Sequence, residues 1–215
     1  MQYFTNAGAG EIVLVMAERI IENRAYLSEI DGKIGDGDHG VNMAKGFGMA
    51  AERLKDKDAS LSEAFAALSE VLMGEIGGSM GPLYGMMFTE FAEAIETEER
   101  IGADTFSAML HKGIEGVQSI GSAEVGDKTL IDCLSPAIVA FDTAQAGGAS
   151  FAEALAAMTE AADRGRDSTI DLVAKIGRAA RLGERSRGVL DAGATSCALL
   201  LRALAEGASA RLQTA

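Results

Sequence analysis

Tryptophan is absent from this 215-residue chain, and only two cysteines, two prolines and two histidines occur. Cys133 and Cys197 are too few for a disulfide framework, and both stand among apolar or small residues, so they read as reduced core thiols. With His39 and His111 the only histidines, a four-ligand zinc site has little support. Pro82, Pro136 and an aromatic content of 5%, set against abundant alanine, favour helix over strand. No apolar run reaches the roughly eighteen residues that a membrane helix needs, and no charged-then-apolar leader with a small-residue cleavage site opens the chain. The expectation is a cytoplasmic protein with no membrane partner. Positive charge is also scarce: 19 Lys and Arg against 32 Asp and Glu give a net charge of −13. That balance argues against a nucleic-acid backbone or an anionic membrane as partner. A hydrophobic content of 48% excludes a disordered or fibrous chain. The length suits one large domain, residues 1–215.

Helix-period apolar positions recur throughout. Ile12, Val15, Met16 and Ile20 form one stripe within residues 11–27. Further helical patterns cover about 39–54, 60–74, 81–98, 104–118, 132–146, 150–165, 167–181 and 193–206. Ser60 with Glu63 and Ser150 with Glu153 read as capping boxes, and Asp104 reads as an N-cap. No alternating strand pattern stands between turn signals. The fold class is all-α, with eight or nine helices in one domain. Met86, Met87 and Phe88 suit core or interface, and a helical Met stripe is core more often than not. Glycines cluster at 77–81, 121–126 and 183–193, all in expected connections. An up-and-down arrangement puts alternate connections at one end, where several meet around one ligand.

The densest chemistry lies in Asp31 to Asn42, D-G-K-I-G-D-G-D-H-G-V-N. Carboxylates as close as Asp31, Asp36 and Asp38 repel unless a cation or strong donors hold them. The interleaved glycines permit tight turning and close approach to a ligand. Hard oxygen ligands beside a helix starting near His39 suit Mg²⁺ bridging to a phosphate. An acidic surface turn is the plainer reading of any single Asp-Gly pair; the whole constellation outweighs it. Gly121 to Thr129 nearly matches a P-loop, but Asp127 is one residue too many and no strand precedes it. Lys128 and Thr129 before a helix still suit a phosphate or sugar. The acidic segment also fails as an EF-hand, with Phe47 at the place of the final glutamate. No nucleophile elbow or protein-kinase pattern is present. Phosphoryl transfer asks a protein chiefly for charge neutralisation and alignment. Asp31, Asp36 and Asp38 supply the first through one or two Mg²⁺ ions, and Arg178 and Arg185 add positive charge.

Five blocks then appear in order: D-G-K-I-G-D-G-D-H-G-V-N-M, G-G-S-M-G-P-L-Y-G, G-D-K-T-L-I-D, G-R-A-A-R-L-G-E-R-S-R-G and D-A-G-A-T-S. Together they resemble the nucleotide-binding L subunit of dihydroxyacetone kinases across nearly all of the chain. The resemblance implies a single-domain eight-helix antiparallel barrel with a nucleotide site in the loops at one end. It places two Mg²⁺ ions on Asp31, Asp36 and Asp38. Nucleotide contacts would fall on His39, Gly40, Val41 and Asn42, on Ser79 and Met80, on Gly121 and Leu130, on Arg178, and on Asp191, Ala192 and Gly193. Met80 stands where the family commonly has a small hydroxyl residue, and Ala192 where proline is frequent. The substrate of such enzymes is held covalently by a separate K subunit, so this chain is expected to be a free-standing half-enzyme. The nucleotide is ADP, recharged by a phosphohistidine carrier of the phosphotransferase system, or ATP exchanging as a substrate; the residues leave both open. The acceptor is dihydroxyacetone or a related ketose. A homodimer stays open as well. The rivals are a non-catalytic ADP/Mg sensor and a structural helical module.

Overall fold

The computed structural model describes residues 2–214, and these build nine α-helices: α1 (Glu11–Glu22), α2 (Arg24–Ile34), α3 (His39–Leu54), α4 (Leu61–Glu75), α5 (Met80–Ile95), α6 (Ala103–Ile120), α7 (Ile131–Ala146), α8 (Phe151–Ser168) and α9 (Ala192–Ser209). The first helical pattern divides at Asn23, whose side-chain amide donates to the Arg19 carbonyl at 2.8 Å. A short amide that bonds its own backbone competes with the helix ladder, which is why the chain breaks there. Both expected capping boxes form. Ser60 accepts from the Glu63 amide while Glu63 accepts from Ser60, and Ser150 and Glu153 do the same. Asp104 is not an N-cap: Gly102 takes that place, and Asp104 sits in the first turn of α6, where a negative charge still suits the helix dipole.

Neighbour packs against neighbour in the order α1, α3, α4, α5, α6, α7, α8, α9 and back to α1, with α2 continuing α1 against α3 and α9. Counting α1 and α2 as one kinked rod, the ring is the expected eight-helix antiparallel barrel. Its interior is filled by rings and branched side chains. Phe65, Phe88 and Phe91 pack within 5.4 to 5.7 Å of one another, and Phe106, Phe141 and Phe151 form a second group. Met87 and Phe88 are core, not interface. Cys133 and Cys197 are buried free thiols, as expected. Where α7 and α8 cross, Gly165 lets the backbones meet; a Cβ there would lie 2.2 Å from the Asp132 carbonyl. No helix among the described residues is long and apolar enough to cross a membrane.

A small sheet, unexpected from the sequence, closes the end where the chain begins. β1 (Gln2–Thr5) pairs antiparallel with β2 (Arg100–Gly102) on one side and β3 (Gln213–Thr214) on the other. Strands of four, three and two residues are too short for alternation to register. Asn6 fastens this end: its buried amide donates to the carbonyls of Ile95 at 2.7 Å and Glu98 at 3.0 Å and accepts from the Ser62 amide. The connections 35–38, 76–79, 121–130 and 169–191 all fall at the opposite end.

The helix expected over 167–181 does not form. α8 stops at Ser168, a 3₁₀ turn covers Thr169–Asp171, and a second one, Ala179–Ser186, is broken at Gly183. Gly177 and Gly183 have φ of 73° and 55°, a region closed to a continuing helix. Before Gly177 the backbone is anchored to other parts of the barrel instead: the Thr169 and Leu172 carbonyls accept from Lys128, and the Lys175 amide donates to the Asp127 carbonyl.

Candidate functional site

Asp31 lies on the last turn of α2, not in a loop, and its carboxylate accepts the His39 amide at 3.2 Å. Gly37, at φ 79°, turns the chain so that Asp36 and Asp38 come back toward it. Carboxylate oxygens of Asp31, Asp36 and Asp38 lie within 4.8 Å of one another. Asp38 precedes α3 yet makes no capping bond, so its carboxylate is free to face the same point. The guanidinium of Arg178 pairs with Asp36, a countercharge where the trio needs one. The donor set is all hard oxygen. Mg–O distances of about 2.1 Å put ligand atoms roughly 3–4 Å apart, so small closing movements suffice for Mg²⁺, and the set is poor for softer metals.

Beside the trio is a cavity of about 280 Å³, near the lower bound for small-ligand sites. Four connections line it. Asp31, Asp36, Asp38, His39 and Asn42 come from the first; Ser79 and Met80, then Leu83 and Tyr84 beyond them, from the second. Lys128, Thr129 and Leu130 come from the third, and Ile176 to Ala179 with Asp191, Ala192 and Gly193 from the fourth. Because the barrel alternates, α3, α5, α7 and α9 all begin here. Four helix N-termini turn partial positive charge toward one space, which suits an anion.

Asp191 caps α9 by accepting the Ala194 amide at 2.7 Å. Burial pushes its carboxyl up to about 7, against the pull of that amide and of Lys128. His39 Nε2 is 3.0 Å from Ser196 Oγ, which is 2.7 Å from the Tyr84 hydroxyl, and both hydroxyls reach the Gly193 carbonyl at 3.1 Å. Burial lowers the His39 imidazole to about 4, although Asp31 pulls the other way. The ring is therefore neutral at pH 7, tied through Ser196 and Tyr84 to the start of α9.

Of the residues singled out by sequence, Asp31, Asp36, Asp38, His39, Asn42, Ser79, Met80, Leu130, Arg178, Asp191, Ala192 and Gly193 share this one cavity. Gly40, Val41 and Gly121 are not part of its lining. A Cβ on Gly40 would lie 2.1 Å from the Arg24 carbonyl, so this glycine seats α3 against α2. Val41 is 42% exposed, and Gly121 lies behind Leu83. Arg185 is exposed and outside the lining. Lys128 does not present its ammonium to the cavity for a phosphate: it donates to the carbonyls of Thr169, Leu172 and Val189. Tyr84 and Ser196 were missed. Their only trace in the sequence is a polar group on an otherwise apolar helix face.

Residues 33–206 match the DAK2 domain. The chain is 39% identical over 191 residues to the ADP-binding subunit DhaL of a PTS-dependent dihydroxyacetone kinase from Lactococcus lactis, covering 88% of this chain and 91% of that one. It is 37% identical over 183 residues to the corresponding subunit of a PEP-dependent kinase from Escherichia coli, covering 84% and 86%. An L-erythrulose kinase from Pectobacterium atrosepticum is 31% identical over 188 residues, which is 86% of this chain but 32% of that longer one. The crystal structure of the dihydroxyacetone kinase of C. freundii superposes with a TM-score of 0.72 at 27% identity, over 94% of this chain and 35% of that one. The same enzyme in complex with AMP-PNP and Mg²⁺ gives a TM-score of 0.67. A domain match over most of the length, with more than a third of the residues shared with these subunits across nearly their whole extent, places the chain in the DAK2 family, with the DhaL subunits of dihydroxyacetone kinases.

Proposed function

We propose that this chain is the nucleotide-holding half of a two-component ketose kinase, with residues 1–215 working as one domain. The observation that carries the reading is the meeting, in one cavity, of three converging carboxylates and four helix N-termini. An acidic protein cannot hold a polyphosphate with carboxylates alone. It can do so with Mg²⁺ between them, and two ions on Asp31, Asp36 and Asp38 would supply charge neutralisation and in-line alignment. The backbone at Ser79 and Met80 offers N–H donors to the phosphates, with His39 and Asn42 lining the same cavity. Met80 brings no hydroxyl, so it contributes through its backbone. Leu130, Ala192 and Gly193 wall the cavity where a base and ribose fit. Arg178 is positioned to exchange its Asp36 partner for a phosphoryl oxygen, since a guanidinium pairs with phosphate as readily as with carboxylate. Gly40, Val41 and Gly121 shape the site from outside its lining.

The DhaL relatives are named as subunits of their kinases, which supports a K-type partner chain that presents the acceptor. Dihydroxyacetone is that acceptor by similarity to the subunits at 36–39% identity, and a ketotetrose by similarity to the erythrulose kinases. The same subunits are named ADP-binding and PEP- or PTS-dependent. On that basis ADP is the resident nucleotide, recharged by a phosphohistidine carrier. The test is reconstitution with a K-type partner and dihydroxyacetone, supplied with either a phosphohistidine carrier or ATP. Steady turnover with the carrier and catalytic ADP supports the full reading. Turnover with ATP alone keeps the kinase and overturns the donor. Nucleotide binding without transfer under either regime would mark a sensor instead.

A further inference from the structure

From Leu172 to Val189 the chain forms a strap that leaves the barrel, passes over the cavity and returns to α9. Its tip brings Ile176, Gly177, Arg178 and Ala179 to the site, with Arg178 paired to Asp36. Its neck is closed by the Gly188 amide on the Ile170 carbonyl at 2.8 Å and the Ala174 amide on Ser186 Oγ at 2.9 Å. Lys175 adds a tie to Asp127, through its amide at 3.2 Å and its ammonium at 3.0 Å.

Lys128 sits at the centre of that neck. The residue is 2% exposed and adopts φ 64°, a conformation that costs a non-glycine residue about 1 kcal/mol and persists only where the surroundings enforce it. Its ammonium donates to the carbonyls of Thr169, Leu172 (3.3 Å) and Val189 (2.5 Å). Leu172 and Val189 are the two ends of the strap. An ammonium has three N–H donors, and here all three are taken by carbonyls. None remains for a phosphate, although the side chain borders the cavity. Burial draws the lysine pKa down while Asp191 opposes it, and the carbonyls compensate the desolvated charge. A neutral side chain would leave the Leu172 and Val189 carbonyls without a donor and the Thr169 carbonyl with only the Leu172 amide at 3.3 Å, which favours opening of the neck to water.

We propose that Lys128 is the positioning residue of the strap: its ammonium gathers both strap ends and thereby fixes where Arg178 stands over Asp36. It contributes to phosphoryl transfer through Arg178, without touching the nucleotide. The role in transfer rests on the kinase reading above; the role in ordering the strap does not, and it is measured separately.

The experiment is hydrogen exchange of the nucleotide-free protein, parent against Lys128→Met. Peptides spanning 172–189 are expected to exchange at least about tenfold faster in the variant, while α1, α4 and α5 keep their protection. Unchanged exchange across 172–189 would overturn the proposal, whatever the protein proves to catalyse. In transfer assays with the K-type partner, Lys128→Met should lose about tenfold or more in kcat, and the Lys128→Met/Arg178→Ala double variant should be no worse than Arg178→Ala alone. Losses that multiply would show Lys128 acting independently of Arg178 and would overturn the coupling. If Lys128→Met fails to fold, Lys128→Ala refolded with propylammonium takes its place. Recovery of slow strap exchange with propylammonium but not with 1-propanol supports the assignment, and equal behaviour with both contradicts it.

Discussion

Asp36 answers to two partners, since it belongs to the carboxylate trio and also holds Arg178. The side chain is 42% exposed, so the fold gains little from it. Asp36→Asn is expected to keep the thermal unfolding midpoint within a few degrees of the parent and to reduce phosphoryl transfer by at least about 100-fold, because a ligand charge is lost. Turnover close to the parent with the partner supplied would remove Asp36 from the site. Asp191 gives a pH-dependent expectation. Its folded carboxyl, near 7, lies above the unfolded value of about 3.9, so its contribution to stability is complete below the latter and lost as pH rises through 7. The groups acting on it are Lys128, Asp132 and Asp31. Asp191→Asn keeps an acceptor for the Ala194 amide and should flatten the fall in the urea midpoint between about pH 4 and 7. The trio was legible in sequence because carboxylate density is local. The Ser196 links to His39 and Tyr84 span 157 and 112 positions, and no local pattern encodes such separations.

The capping boxes were legible at the scale of single elements because each is written within four consecutive residues, and both formed. Ser60→Ala should cost about 1 kcal/mol of stability, read as a shift in the denaturant midpoint with unchanged slope, and leave nucleotide affinity untouched. The Ser60 amide and hydroxyl hold the Glu63 carboxyl below its usual range, so this support is present at neutral pH and fades as pH falls through that lowered range. The segment 167–181 misled for a physical reason. Its composition favours helix, but Lys128, Asp127 and Ser186 supply the backbone partners that a helix would have supplied. Gly165→Ala tests the crossing of α7 and α8. With a Cβ 2.2 Å from the Asp132 carbonyl, the helices must part, and a loss of roughly 1–3 kcal/mol is expected. A neutral outcome in thermal melts would mean that α7 relaxes more freely than its packing implies.

Closure of the ring gives the proposed nucleotide site of this all-α protein its place without a sheet-based phosphate loop. Antiparallel alternation delivers every second helix N-terminus to one end, and the acidic trio, the proposed cation site, lies beside them. That several glycine-rich connections meet at one end was foreseeable from the sequence, the antiparallel barrel only from the family resemblance, and the small sheet at the other end not at all. The account therefore turns on metal-mediated capture. Its most direct test is calorimetric titration of ADP into the protein, in millimolar Mg²⁺, in excess chelator, and in millimolar Mg²⁺ with the Asp31→Asn/Asp36→Asn/Asp38→Asn variant. Binding heat in the first case alone, with the variant still folded by circular dichroism, is the predicted result. Equal ADP affinity in chelator, or in the triple variant, would contradict it.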